Sequence, residues 1–242
     1  MHALQATNAA FESFPSVARM IAALSAQTTT RLAEAIQNKG AASYVAAGGT
    51  TVPPLLEGLS KTDIAWDKVH VTLSDERWLA PDSSNSNQFL IRNTLLQNKA
   101  AKAHFTPLWY ACDTPEQAAG IASQAVGQMP SPFDVTLLGM GADMHAASLF
   151  PNAPGTAKAL DISREALVCP VGPIKGAAGA QTRLSLSLRA ILQSRIIFLM
   201  IVGDEKRAAL EQAITYTDPI QAPVSAILQQ TQCPVHIYWA PK

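Results

Sequence analysis

An Asp-x-His pair, Asp143 and His145, stands directly behind an apolar run and two glycines in Leu137-Leu138-Gly139-Met140-Gly141-Ala142-Asp143-Met144-His145. An imidazole titrates near neutrality and can take a proton from water at cellular pH, while a nearby carboxylate fixes its tautomer and orientation. Water activation is the natural chemistry of such a pair. Residues 133–138 read as a short buried strand, and Gly139 and Gly141 let the chain turn where a side chain would collide. The pair is then expected just past a strand's carboxyl end, where open α/β sheets place their ligands. A single Asp-x-His decides nothing alone.

Three more polar clusters follow strand-like runs. Gly48-Gly49-Thr50-Thr51 offers backbone N–H groups, two hydroxyls and the start of a helix, whose partial positive charge suits a phosphate. It is neither a P-loop nor a dinucleotide fingerprint, because the Gly-x-x-x-x-Gly-Lys and Gly-x-Gly-x-x-Gly patterns are absent. Asp75-Glu76-Arg77 forms a charged turn after the alternating run 69–73. Lys206 falls in the first turn of the helix expected after residues 195–202, and Arg183 opens the alternating run 183–188. An ammonium and a bidentate guanidinium at those places can hold the same anion as the glycine turn.

These clusters need elements that bring them together. Residues 15–38 carry apolar positions at helical spacing and predict a long first helix stopped by Gly40. Strand-like 43–47 precedes the glycine turn, and residues 52–59 start a helix with prolines in the first turn. Helices are predicted at 86–96 and 114–128, the latter with a Thr cap and proline at its first position, and a short one near 145–150. Strands are expected at 166–169, 183–188, 195–202 and 235–239. The run 195–202 is apolar and β-branched enough for a central strand buried on both faces. Strands alternating with helices predict an α/β fold: a mostly parallel Rossmann-like sheet with helices on both faces and right-handed crossovers. Turns after parallel strands lie on one side, so residues distant in sequence converge on one pocket. Residues 172–181, rich in Gly and Ala, read as a mobile loop.

Composition bounds the partners. The 242 residues are long enough to bury a substantial core and predict a single domain over 1–242. Eighteen basic residues balance eighteen acidic ones, so no global field favours nucleic acid or an anionic membrane, and an anionic ligand must be held by local groups. Cys112, Cys169 and Cys233 show neither zinc-site nor redox-pair spacing, and are expected to be reduced and structural in a cytoplasmic protein. The first residues lack a basic segment followed by a long apolar run, and eighteen apolar residues never occur in succession. Neither a signal peptide nor a membrane span is expected.

The ordered set of segments at 47–53, 74–78, 138–151, 183–186 and 203–206 resembles the lactonase side of the glucosamine-6-phosphate isomerase/6-phosphogluconolactonase family. The resemblance implies hydrolysis of 6-phospho-D-glucono-1,5-lactone to 6-phospho-D-gluconate, the second step of the oxidative pentose phosphate pathway. It implies no metal or organic cofactor, and a phosphorylated sugar lactone as the partner of a monomer or small homo-oligomer. His145 would be the general base, and Asp143 would orient it or contact the substrate. Arg77, with Asp75 beside it, would bind substrate and steady the developing oxyanion. Gly48, Gly49, Thr50, Thr51, Arg183 and Lys206 would hold the 6-phosphate. Two departures stand out: Met144 replaces the family's usual glycine, with a different local bend expected, and Ala146 removes a hydroxyl.

Two other functions compete. The aminosugar-phosphate isomerase/deaminase branch carries a glutamate five residues after its histidine, where this chain has Phe150, and an aromatic ring cannot relay a proton. A non-catalytic sugar-phosphate sensor would need an appended DNA-binding helix-turn-helix, for which the segment before the first sheet strand is short and neutral.

Overall fold

The computed structural model describes residues 9–174 and 181–242. Among these, ten strands occur: β1 (Ala9–Ser13), β2 (Ala42–Ala46), β3 (Val69–Leu73), β4 (Asp75–Arg77), β5 (His104–Phe105), β6 (Val135–Gly139), β7 (Val168–Val171), β8 (Arg183–Leu186), β9 (Ile197–Val202) and β10 (Val235–Ala240). The helices are α1 (Val17–Lys39), α2 (Pro53–Ser60), α3 (Asn87–Thr94), α4 (Pro115–Gly127), α5 (Thr156–Leu160), α6 (Leu188–Leu192), α7 (Asp204–Ala213) and α8 (Pro223–Leu228).

Seven strands form one sheet in the order β1-β10-β9-β6-β2-β3-β5, and every pair in it is parallel. The apolar run at β9 lies inside this sheet, with Ile197 through Ile201 all buried. Full burial of each such side chain contributes roughly 1.5–3 kcal/mol, which is why a strand with no polar face is stable only here. In α1, Ser16 caps the first turn by accepting from the Arg19 N–H at 3.3 Å. Its buried residues Met20, Leu24, Thr28, Leu32 and Ala35 recur every three or four positions and form the stripe that packs on β2, β6 and β10.

The chain leaves β2 toward β3 and β5, then returns to place β6 on the other side of β2 before continuing to β9 and β10. That reversal opens a crevice at the carboxyl ends of β2 and β6. The four predicted clusters follow β9, β6, β2 and β3, which are consecutive neighbours in the sheet.

The structure corrects three local expectations. Residues 145–150 form a tight turn with isolated bridges Met140↔Ala146 and Ala146↔Leu149, and the helix comes later, at α5. Met144 and Ala147 take φ of 67° and 51°, left-handed values that a right-handed helix excludes. Asp75-Glu76-Arg77 is a strand, paired antiparallel with β8 in a second sheet ordered β4-β8-β7. The strand expected at 183–188 ends at Leu186, with α6 opening at Leu188, and as the middle strand of that sheet β8 is buried at all four positions. Its polar Ser185 is satisfied inside, donating to the Leu186 carbonyl at 3.0 Å and accepting from the Ser148 N–H at 3.2 Å. Most of the loop expected at 172–181 lies outside the described residues.

Candidate active site

The ten predicted site residues line one cleft of about 450 Å³: Gly48, Gly49, Thr50 and Thr51 after β2; Asp75 and Arg77 on β4; Asp143 and His145 after β6; Arg183 on β8; and Lys206 in α7. Five elements thus supply one concave surface: the loops after β2 and β6 and the start of α7 share the side that parallel strands give them, and the small antiparallel sheet adds Asp75, Arg77 and Arg183.

At the base, His145 Nδ1 lies 2.5 Å from Asp143 Oδ1, which also accepts from the His145 backbone N–H at 3.4 Å. A carboxylate at Nδ1 assigns the proton to that nitrogen, leaving Nε2 as the nitrogen available to accept one. Burial works to raise the Asp143 carboxyl, but the hydrogen bond and charge of His145 outweigh it and hold the group below the ordinary carboxylate range. The turn is closed by Gly141 N–H to the His145 carbonyl at 3.1 Å and Met144 N–H to the Gly141 carbonyl at 3.0 Å. A Cβ on Gly141 would lie 2.3 Å from both Asp143 Oδ1 and His145 Nδ1, so only glycine fits behind the pair. Met144, where the resemblance led to a glycine, takes up the left-handed conformation itself at φ 67°. Its carbonyl accepts from the Val224 N–H of α8 at 3.1 Å.

The cationic side rests on the small sheet. Arg77 and Arg183 are directly opposite across β4 and β8, a cross-strand like-charge pair that is unfavourable without a counter-charge. Asp75 offers one: it is buried, its carboxylate accepting from Ser74 Oγ at 2.9 Å and Ser148 Oγ at 2.5 Å. Burial lowers the Arg183 guanidinium below its usual range; the Asp75 charge opposes that, and Arg77 adds to it. The Arg77 guanidinium donates to the Asn85 carbonyl. Burial likewise lowers the Lys206 ammonium, while the charges of Asp143 and Glu205 favour its protonated form. Lys206 therefore lies within electrostatic reach of the Asp143 carboxylate that contacts His145.

The glycine turn departs from expectation in one respect. Helix α2 begins with Pro53 and Pro54, which have no N–H, and the N–H groups of Leu55 and Leu56 both point to the Val52 carbonyl. The first turn of α2 has few donors to spare, so an anion here must use the loop's own N–H groups and the Thr50 and Thr51 hydroxyls.

The roles of four residues escaped sequence reasoning. Glu76 is fully buried and accepts from the N–H groups of Arg77 (2.7 Å), Asn87 (2.7 Å) and Gln88 (2.6 Å) and from Ser86 Oγ (3.0 Å). It ties the Arg77 strand to the start of α3. Asn87 donates to the Asp75 carbonyl at 2.8 Å and lies so close to Gly48 that a Cβ there would meet its Oδ1 at 2.2 Å. Ser148 holds Asp75, and Phe150 stacks on His145 with ring centroids 4.1 Å apart. The Ser-Asn dipeptide ahead of a helix was the available signal for Asn87; the others have none that a single sequence shows.

The chain matches a family model described as glucosamine-6-phosphate isomerases/6-phosphogluconolactonase over residues 15–239. It is 38% identical to a 6-phosphogluconolactonase of Mesorhizobium japonicum, over 96% of this chain and 95% of that one. It is 36% identical to one of Pseudomonas aeruginosa, over 93% and 92%. Among solved structures, a 6-phosphogluconolactonase from Shewanella baltica superposes with a TM-score of 0.91 at 36% identity, covering 96% of this chain and 97% of that one. With the matched region spanning nearly every element that builds the cleft, the chain belongs to the glucosamine-6-phosphate isomerase/6-phosphogluconolactonase family.

Proposed function

We propose that this chain hydrolyses 6-phospho-D-glucono-1,5-lactone to 6-phospho-D-gluconate, the second step of the oxidative pentose phosphate pathway, with His145 as general base. The relatives named 6-phosphogluconolactonase support the reaction class. The observation that carries the mechanism is the 2.5 Å contact between Asp143 and His145 Nδ1 in the same cleft as Arg77, Arg183 and Lys206.

In this reading Nε2 takes a proton from water as the water oxygen bonds to the lactone carbonyl carbon. The Asp143 carboxylate stabilises the imidazolium so formed. Charge gathers on the former carbonyl oxygen, where a donor such as Arg77 contributes about 3 kcal/mol. Collapse of the tetrahedral intermediate breaks the ring C–O bond, and Nε2 returns its proton to the departing ring oxygen. The 6-phosphate is held by the loop of Gly48, Gly49, Thr50 and Thr51 with Arg183 and Lys206. An anion there offsets the Arg77–Arg183 repulsion that the protein alone only partly balances.

The deaminase chemistry of the same family is disfavoured by the residue five positions after His145: that branch carries a glutamate there, and this chain has Phe150, whose ring stacks on the imidazole and cannot relay a proton. The discriminating experiment offers the purified protein freshly generated lactone and, separately, glucosamine 6-phosphate. Acceleration of lactone hydrolysis well beyond the spontaneous rate, without ammonia release from the aminosugar, is expected; the reverse pattern would refute the proposal. Lys206→Ala should raise KM about tenfold or more with kcat little changed, because phosphate is bound alike in ground and transition states. Steady-state kinetics with both constants unmoved would remove Lys206 from the phosphate grip.

A further inference from the structure

The base is held on two sides. Its hydrogen bond to Asp143 anchors one ring nitrogen but leaves the imidazole free to rock about that contact. The ring of Phe150 covers a face, with centroids 4.1 Å apart and planes 25° apart, close enough to remove that freedom. Phe150 is itself immobilised: it is 8% exposed, its carbonyl accepts from Thr156 Oγ1 at 2.8 Å, and the Arg183 guanidinium carbon lies over its ring at 5.9 Å. One aromatic side chain thus touches both the base after β6 and the cation on β8.

We propose that Phe150 is a positioning residue for the hydrolysis, setting the plane of the His145 imidazole and offering its π-face to the imidazolium that forms when the base takes a proton. This rests on His145 being the general base. The π-face attracts a cation and has little to offer a neutral ring, so its stabilisation appears as the proton arrives and lowers the barrier rather than tightening substrate binding. Arg183, nearly buried on a central strand, keeps its place without the ring, so binding is little affected.

The test compares Phe150→Leu, which keeps an apolar side chain but removes the flat π-face, with Phe150→Tyr, which keeps it, and places Phe150→Leu also in a His145→Ala background. Phe150→Leu is expected to lower kcat roughly tenfold with KM within about twofold, and Phe150→Tyr to recover most of the loss. On His145→Ala, Phe150→Leu should lower the residual rate no further, because the group it positions is gone. A wild-type kcat in Phe150→Leu, a tyrosine variant as slow as the leucine one, or an equal loss in the His145→Ala background would overturn the proposal. Phe150→Met repeats the comparison should the leucine variant fail to fold. A fully active His145→Ala would instead sink the underlying base assignment, whatever Phe150→Leu does.

Discussion

At the scale of single residues, the site is set by close approach more than by hydrogen bonds in number. Gly141 shows this most sharply, since any Cβ there would occupy the space of the Asp143–His145 contact. Gly141→Ala is expected to leave the protein folded while displacing the imidazole by about an ångström, which costs on the order of 10² in kcat/KM. Thermal unfolding beside steady-state kinetics checks both halves. The Asp-x-His pair was legible because its spacing behind a buried strand has a chemical meaning that a single sequence carries. Phe150 and Ser148 were not. A buried aromatic and a buried serine look like core and loop until the fold shows that one lies on the His145 ring and the other binds Asp75 at 2.5 Å.

At the scale of elements, the parallel strands were readable from their apolar runs, whereas the small antiparallel sheet was not. β4 is three residues long and wholly charged, so its strand character comes from pairing with β8 and not from side-chain preference. Glu76 holds the junction of β4 and α3. Burial raises its carboxyl above the ordinary range, against the pull of the backbone N–H groups of Asn87, Gln88 and Arg77 and of the Ser86 hydroxyl. Glu76→Gln replaces one accepting oxygen with an amide that cannot accept, and should cost about 1–3 kcal/mol of stability in urea denaturation while loosening Arg77 and raising KM. A variant as stable as wild type would show that these bonds do not hold the junction.

The edge strand β5 carries a pH-dependent feature. His104 stacks on His70 of β3 with centroids 4.8 Å apart, and its Nε2 lies 2.9 Å from the Asp67 carbonyl. Burial first, and then the His104 charge, lowers His70 below the ordinary imidazole value. A lowered imidazole means that the unfolded chain binds more protons, so stability from this group is complete above about pH 6.5 and lost as pH falls below it. His236, lowered by burial and by Arg31 against Glu12, acts in the same direction. The melting temperature should therefore fall between pH 7 and pH 5, and His104→Gln, which removes the charge facing His70, should make that fall smaller. An identical fall in both proteins would exclude a role for the pair.

At the scale of the whole molecule, four consecutive parallel strands deliver their loops to one crevice, and that arrangement was readable from the order of apolar runs and glycine turns. Residues 145–150 misled because their apolar spacing suits a helix, while left-handed backbone at Met144 and Ala147 breaks it. The scaffold and the chemistry are separable: Leu199 is fully buried on β9, and Leu199→Ala should cost about 2–5 kcal/mol in denaturant unfolding while the folded fraction keeps its kcat.

Water activation by an imidazole anchored by Asp143, against a lactone held by Arg77, Arg183 and Lys206, carries the proposed function. Its most direct test is the hydrolysis rate of freshly generated 6-phosphogluconolactone with wild type and His145→Ala, the two matched for fold by circular dichroism. The predicted result is acceleration far above the spontaneous rate by wild type and a loss of about 10²–10⁴-fold in the variant; a variant as fast as wild type would contradict it.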